Sequence, residues 1–149
     1  MREHIDAYRK TWELSRHDTA RLNHHVAQPK LGVLRQVVVA ETDNEALAIT
    51  RTAHNGWYRS ITKLWHDHDD HSVDGIFAWE TSMQHETILS GSPRRVSEQL
   101  DRLVSTSGCI YVICAFAWGN MPHQQSLRSL QLFAHEVMPG YLRGDASAE

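Results

Sequence analysis

The chain has 149 residues, of which 41% are hydrophobic and 22% charged, and its formal net charge is -3. That length and balance allow one soluble domain with a true core. The lack of any long basic block argues against nucleic acid or an anionic membrane surface as a partner. The longest apolar run, Cys109 to Trp118, is far short of the roughly 20 residues a membrane helix needs. The charged start Met1-Arg2-Glu3-His4 is not a secretory signal, so a cytoplasmic protein is expected.

In chain order, Ile5, Tyr8 and Trp12 share one face of a first helix. The polar stretch 17–30, with Pro29, reads as a connection. Leu31 to Ala40, rich in β-branched residues, reads as a strand. Glu45, three residues after Thr42, matches a capping box, and Thr42 or Asp43 could cap the next helix. Its apolar stripe is Trp57, Tyr58, Ile61, Leu64 and Trp65, with Gly56 as a candidate break. Residues 66–74 are polar and residues 75–86 show no clear period. A short strand over 87–90 ends at Gly91, and Ser92-Pro93 starts a helix as N-cap and first residue. Val96, Leu100, Leu103 and Val104 form that helix's buried side, and Gly108 is placed to end it.

The run Ile110 to Ala117 is almost continuously apolar, which predicts a strand covered on both faces, as in a parallel sheet. Gly119-Asn120-Met121-Pro122 breaks it. A last helix carries Leu127, Leu130, Phe133, Ala134, Val137 and Met138 on one face until Pro139-Gly140, and 143–149 is a flexible tail. The alternation of helices and strands predicts an α/β fold with right-handed crossovers. On one extended strand Cys109 and Cys114 would lie roughly 16 Å apart, beyond the ~7 Å reach of a disulfide. Both read as reduced thiols, with Cys114 a core residue rather than a nucleophile.

The tract Trp65-His66-Asp67-His68-Asp69-Asp70-His71 holds metal-ligating residue types. Its spacing matches no standard zinc signature and it reads as a polar loop, so no metal site is assigned. His123, at the start of the last helix, reads as a surface histidine.

Three stretches carry a resemblance. Ile88 to Leu100 is similar to the strand-to-helix junction near the end of luciferase-like flavin-dependent monooxygenases. Trp118 to His123, continued by Ser126 to Leu130 and Phe133 to Pro139, resembles the end of their final barrel unit. Val37 to Ala46 looks like their sixth strand and its turn. The resemblance covers residues 5–142, and it rests on the order and spacing of these stretches. It implies a partial (β/α)8 TIM barrel over residues 1–142, holding about the last three βα units with parallel strands. It also implies reduced FMN, or the deazaflavin F420, as cofactor, together with a small organic substrate. A complete barrel takes roughly 250 residues, so about five strands would be missing. The chain is then incomplete for catalysis alone and would pair as a homo-oligomer or with an N-terminal barrel half; the alternative is a non-catalytic interaction module.

Barrel active sites lie at the carboxyl ends of the strands, which here means 40–42, 91–92 and 116–121. Gly91 and Ser92, at a helix start, could hold a phosphate aided by Arg94 and Arg95, where the resemblance leads one to expect acidic residues. The other reading is an ordinary capped helix with two solvated arginines. Phe116 and Trp118, two residues apart, should point to one side and, with Gly119 and Asn120, line the flavin or substrate. The other reading is core packing at the barrel mouth.

Overall fold

The computed structural model describes residues 2–23 and 25–142, and the tail expected over 143–149 lies outside them. The helix α1 (Arg2–Leu14) leads to β1 (Gly32–Val39), α2 (Asp43–His66) and two short helices, α3 (Asp74–Phe77) and α4 (Trp79–Gln84). Then come β2 (Ile88–Gly91), α5 (Pro93–Ser107), β3 (Tyr111–Ala115) and α6 (His123–Leu132). A π turn (Phe133–Val137) and a 3-10 turn (Met138–Gly140) prolong α6. The expected alternation is present. The helix α2 begins at the expected box, Thr42 accepting the Glu45 N–H at 3.2 Å. Gly108, at φ 73°, ends α5 in the left-handed region that suits glycine.

The three strands are parallel, as expected, in the order β2-β1-β3. The chain steps from β1 to one side, then back across β1 to the other. Right-handed crossovers in opposite directions put their helices on opposite faces, and the core follows this rule. Val38, Ala40 and Ile88 pack under Ala46 and Ala53 of α2. Val37, Val39 and Leu89 pack on the other face against Val96, Leu100 and Leu103 of α5 and Leu132 beyond them. Val37 and Val38 are fully buried, each worth ~1.5–3 kcal/mol over exposure. Consecutive strands of a closed barrel pair in chain order with helices on the outer wall only; this sheet departs from that on both counts.

The last strand also differs from expectation. Its run of apolar residues does not have both faces covered: β3 is an edge strand, with Tyr111 45% and Ile113 51% exposed. The helix α2 covers the β1–β2 side of that face and stops short of β3. Beside the open edge, Leu100, Val104, Val112, Phe133 and Tyr141 line an apolar groove of about 460 Å³. Both cysteines are free thiols, and burial pushes Cys114 above its ordinary range.

Two helices bury other faces than their apolar stripes suggest. In α2 the buried residues are small: Ala46, Thr50 and Ala53, with His54 beside them, while Leu64 is exposed. The reason is length. At ~1.5 Å per residue the 24 residues of α2 run ~36 Å, and the eight of β1 only ~26 Å, so the aromatic half of α2 passes beyond the sheet. Gly56 does not interrupt α2; the Asn120 side chain lies 2.8–3.1 Å from where its Cβ would be. In α6, Leu127 and Leu130 are exposed and Ser126, Ser129 and Leu132 are buried. The Ser129 Oγ accepts the Val39 N–H at 2.7 Å, the backbone donor that β3 leaves unpaired by ending level with Gln36.

Candidate functional site

The sheet and the helix directions together define one crevice. From β1 the chain turns to α2 on one face, and from the adjacent β3 it turns to α6 on the other. In open parallel sheets, ligands bind outside the carboxyl ends of the strands at such a reversal. Here Val39, Ala40, Glu41, Gln124, Gln125 and Arg128 are among the lining residues of a cleft of about 190 Å³. This is the end of the sheet at which the sequence places the site. Ligand pockets usually span ~300–1,000 Å³; the cleft falls below that range, and a second hollow of about 420 Å³ adjoins it at Glu41, Arg128 and Leu132.

The cleft's arginine is already matched. Arg128 is ion-paired with Glu41. At the β2 end the Ser92 N–H donates to Asp43 Oδ1 at 2.7 Å. The free amide of the α5 start therefore does meet an anion, but it is the carboxylate of α2's own first residue. These bonds hold Asp43 below the usual carboxylate range. Arg95 lies 3.7 Å from the same carboxylate, and Arg94 pairs with Glu98 at 2.9 Å. Neither arginine waits for a phosphate. At Gly91 an added Cβ would meet the Arg95 stem at 2.6–2.9 Å, so the glycine makes room for that side chain.

Past β3 the chain no longer keeps a period of two, and the expectation that Phe116 and Trp118 share a side fails. The strand ends at Ala115, so the backbone twists out of the sheet between them. Phe116 joins the α5–α6 face, edge-on to Phe133 at 5.1 Å. Trp118 packs on the α2 face with Ala40, Ala53 and Met121. Gly119, at φ 61°, seats the loop on α2: an added Cβ would lie 2.1 Å from the Ala53 carbonyl oxygen. Asn120 rests on Gly56. One feature of the loop is unsatisfied. Trp118 is 9% exposed and its indole N–H has no acceptor among the described residues, a loss of ~1–3 kcal/mol unless an acceptor is supplied.

A second constellation lies at the far end of α2, in the polar tract and just beyond it. His66 Nε2 is 2.6 Å from Asp74 Oδ1, and His71 Nδ1 is 2.9 Å from Asp74 Oδ2. The two imidazoles lie 4.6 Å apart, centroid to centroid. Hydrogen bonds from both histidines hold Asp74 down to about 2. The sequence singled out His66 and His71 but not Asp74, because a loop of undefined shape separates it from α2. His54, which no motif marks, is buried against Trp57 and Trp79 and donates from Nε2 to the Phe77 carbonyl at 3.1 Å. Burial pushes it below its ordinary range.

No protein-family model matches the chain, and no curated protein sequence matches it. Solved structures do. The chain is similar to the monooxygenase RslO1 of Streptomyces bottropensis, with TM-score 0.63 and 22% identity; 94% of this chain covers 39% of that one. It is also similar to the oxygenating constituent of 3,6-diketocamphane monooxygenase from Pseudomonas putida, a type II Baeyer-Villiger monooxygenase in complex with FMN. There the TM-score is 0.60 and the identity 21%, over 91% of this chain and 40% of the other. The resemblance to luciferase-like flavin monooxygenases is thus borne out as a likeness of fold. The chain spans about two fifths of the length of these structures. No helix among the described residues is long and apolar enough to cross a membrane.

Proposed function

We propose that this chain is the C-terminal segment of a luciferase-like flavin-dependent monooxygenase, an oxidoreductase using reduced FMN and oxygen, and is incomplete for catalysis alone. The observation that carries the reading is the fold likeness over 94% of this chain to a structure of which it covers only 39%. F420 is the alternative cofactor. Reduced flavin supplies the electrons for oxygen activation in such an enzyme. The residues in hand do not by themselves fit a flavin phosphate: Arg94, Arg95 and Arg128, the arginines at the strand ends, are already paired. On this reading Trp118, Gly119 and Asn120 with Gly91 and Ser92 form one wall of a shared site, Phe116 supports that wall from the opposite face, and strands outside this chain complete it. The unpartnered Trp118 N–H is then a donor awaiting the completed site. Joining a partial (β/α)8 barrel requires β3, bonded to β1 only from Gly32 to Gln36, to leave that edge and stand beyond β2.

The test is reconstitution. The chain is mixed with the polypeptide supplying the remaining strands of a monooxygenase of this fold, and bound FMN and oxygen-dependent substrate turnover are measured. The expected result is stoichiometric FMN and turnover only in the mixture. An assembly that forms yet retains no flavin would refute the reading.

The bare apolar flank favours a second reading, a non-catalytic module that pairs through β3. Ile110, Tyr111 and Ile113 are exposed along a free strand edge beside the apolar groove. It expects a stable homodimer by light scattering that Ile113→Lys converts to monomer, with no flavin bound in any combination.

A further inference from the structure

The geometry points to a divalent transition-metal site of the zinc class held by His66, His71 and Asp74, unrelated to the flavin reading. The three residues come from two helices and the loop between them. His66 is the last residue of α2, His71 lies in the loop that follows, and Asp74 opens α3. The loop doubles back so that one ligating atom from each residue lies within 4.8 Å of the others. Two imidazoles and a carboxylate are the donor set that zinc, cobalt and nickel prefer.

The distances suit an empty site that must open slightly to admit an ion. With ligand bonds of ~2.0–2.1 Å in a tetrahedron, donor atoms stand roughly 3.3 Å apart. His66 and His71 now meet different oxygens of Asp74, at 2.6 and 2.9 Å, so a shared ion requires the carboxylate to turn one oxygen toward both imidazoles and the two contacts to widen by roughly 0.4–0.7 Å. That is within the play of a surface loop. The His71 side chain is 61% exposed and those of His66 and Asp74 about one third, which leaves a path for the ion and room for water in the remaining position. Tyr58, two turns back along α2, sets its ring edge-on to His66 at 6.3 Å. A plain histidine–aspartate clamp would account for the two hydrogen bonds. It does not call for a second imidazole tilted against the first at 4.6 Å, with a ligating atom of all three residues converging on one point. The ion would tie the end of α2 to α3 and so hold the α3–α4 segment in place.

The test is titration of the full chain with Co²⁺ alone, followed by the visible ligand-field band, and with Zn²⁺, followed by thermal unfolding. One equivalent should bind with a band of tetrahedral or five-coordinate cobalt, and saturating Zn²⁺ should raise Tm by about 5 °C. His71→Ala, at an exposed loop position, and Asp74→Asn should each abolish the band and the Tm shift. His135→Ala should change neither. The chain has 11 histidines, so binding that survives His71→Ala is adventitious and overturns the proposal. So does the absence of the band in a wild-type chain whose circular dichroism shows it folded.

Discussion

Gly119→Ala is the substitution on which the structure is most explicit. Glycine is needed there for two independent reasons. The backbone lies at φ 61°, which costs an alanine ~1–2 kcal/mol. The new methyl would also stand 2.1 Å from the Ala53 carbonyl oxygen and 2.8 Å from its carbon. Those are backbone atoms of α2 and cannot rotate away, so the loop after β3 must lift, at ~1–3 kcal/mol by analogy with overpacked cores. The sum is about 3 kcal/mol, and at ~2–4 °C per kcal/mol for a chain of this size Tm should fall by about 10 °C. Gly75→Ala is the control: nothing lies within 4 Å of its Cβ, and the change in α3 should be neutral or stabilising by up to ~1 kcal/mol. Urea unfolding followed by tryptophan fluorescence measures both. The loop reports directly, since Trp118 precedes Gly119. If Gly119→Ala unfolds at the same urea concentration as Gly75→Ala, the seating of the loop on α2 is wrong.

Ser129→Ala should cost ~1–3 kcal/mol, because it orphans the buried Val39 N–H; hydrogen exchange should show that amide losing protection while those of Val37 and Val38 keep theirs. His54 carries a pH dependence. Burial, only partly opposed by its bond to Phe77, lowers its pKa from the ordinary 6.5, so the unfolded chain binds this proton more readily than the folded one. The stability it contributes is full above pH ~6.5 and is lost as pH falls from there toward the folded value. His54→Gln should therefore lose less stability than wild type between pH 7 and pH 5 in urea midpoints, and equal losses would contradict the assignment. Thr50→Val breaks the buried hydroxyl pair with Ser90 at 2.7 Å and should cost ~1–2 kcal/mol by the same unfolding assay.

Local signals reported local structure well. The Thr42–Glu45 pair, Ser92-Pro93 and Gly108 mark helix ends, and all three lie where the sequence puts them, but the Ser92 side chain makes no capping bond. The parallel direction followed from alternation alone. What the sequence could not carry was anything set by distant partners. Chain order says nothing about β1 lying between β2 and β3. The apolar stripe of α2 is real but lies mostly past the end of the sheet, so its small residues take the buried role. The run Ile110 to Ala117 predicted a covered strand, and it has one open face here; apolar residues left bare in this way are what a segment cut from a larger body would show. The sidedness of Phe116 and Trp118 was not legible, because it depends on where β3 stops. The capture of the α5 amide by Asp43 joins residues 49 apart in sequence and was equally out of reach.

On the proposed reading this chain supplies only one wall of a flavin site. The most direct measurement is fluorescence titration of FMN with the chain alone, over a range up to roughly 100 µM, where a binding free energy near -5 to -6 kcal/mol would still register. No saturable quenching is expected. One-to-one quenching at micromolar concentration would mean that the chain alone holds a complete flavin site and would contradict the proposed reading.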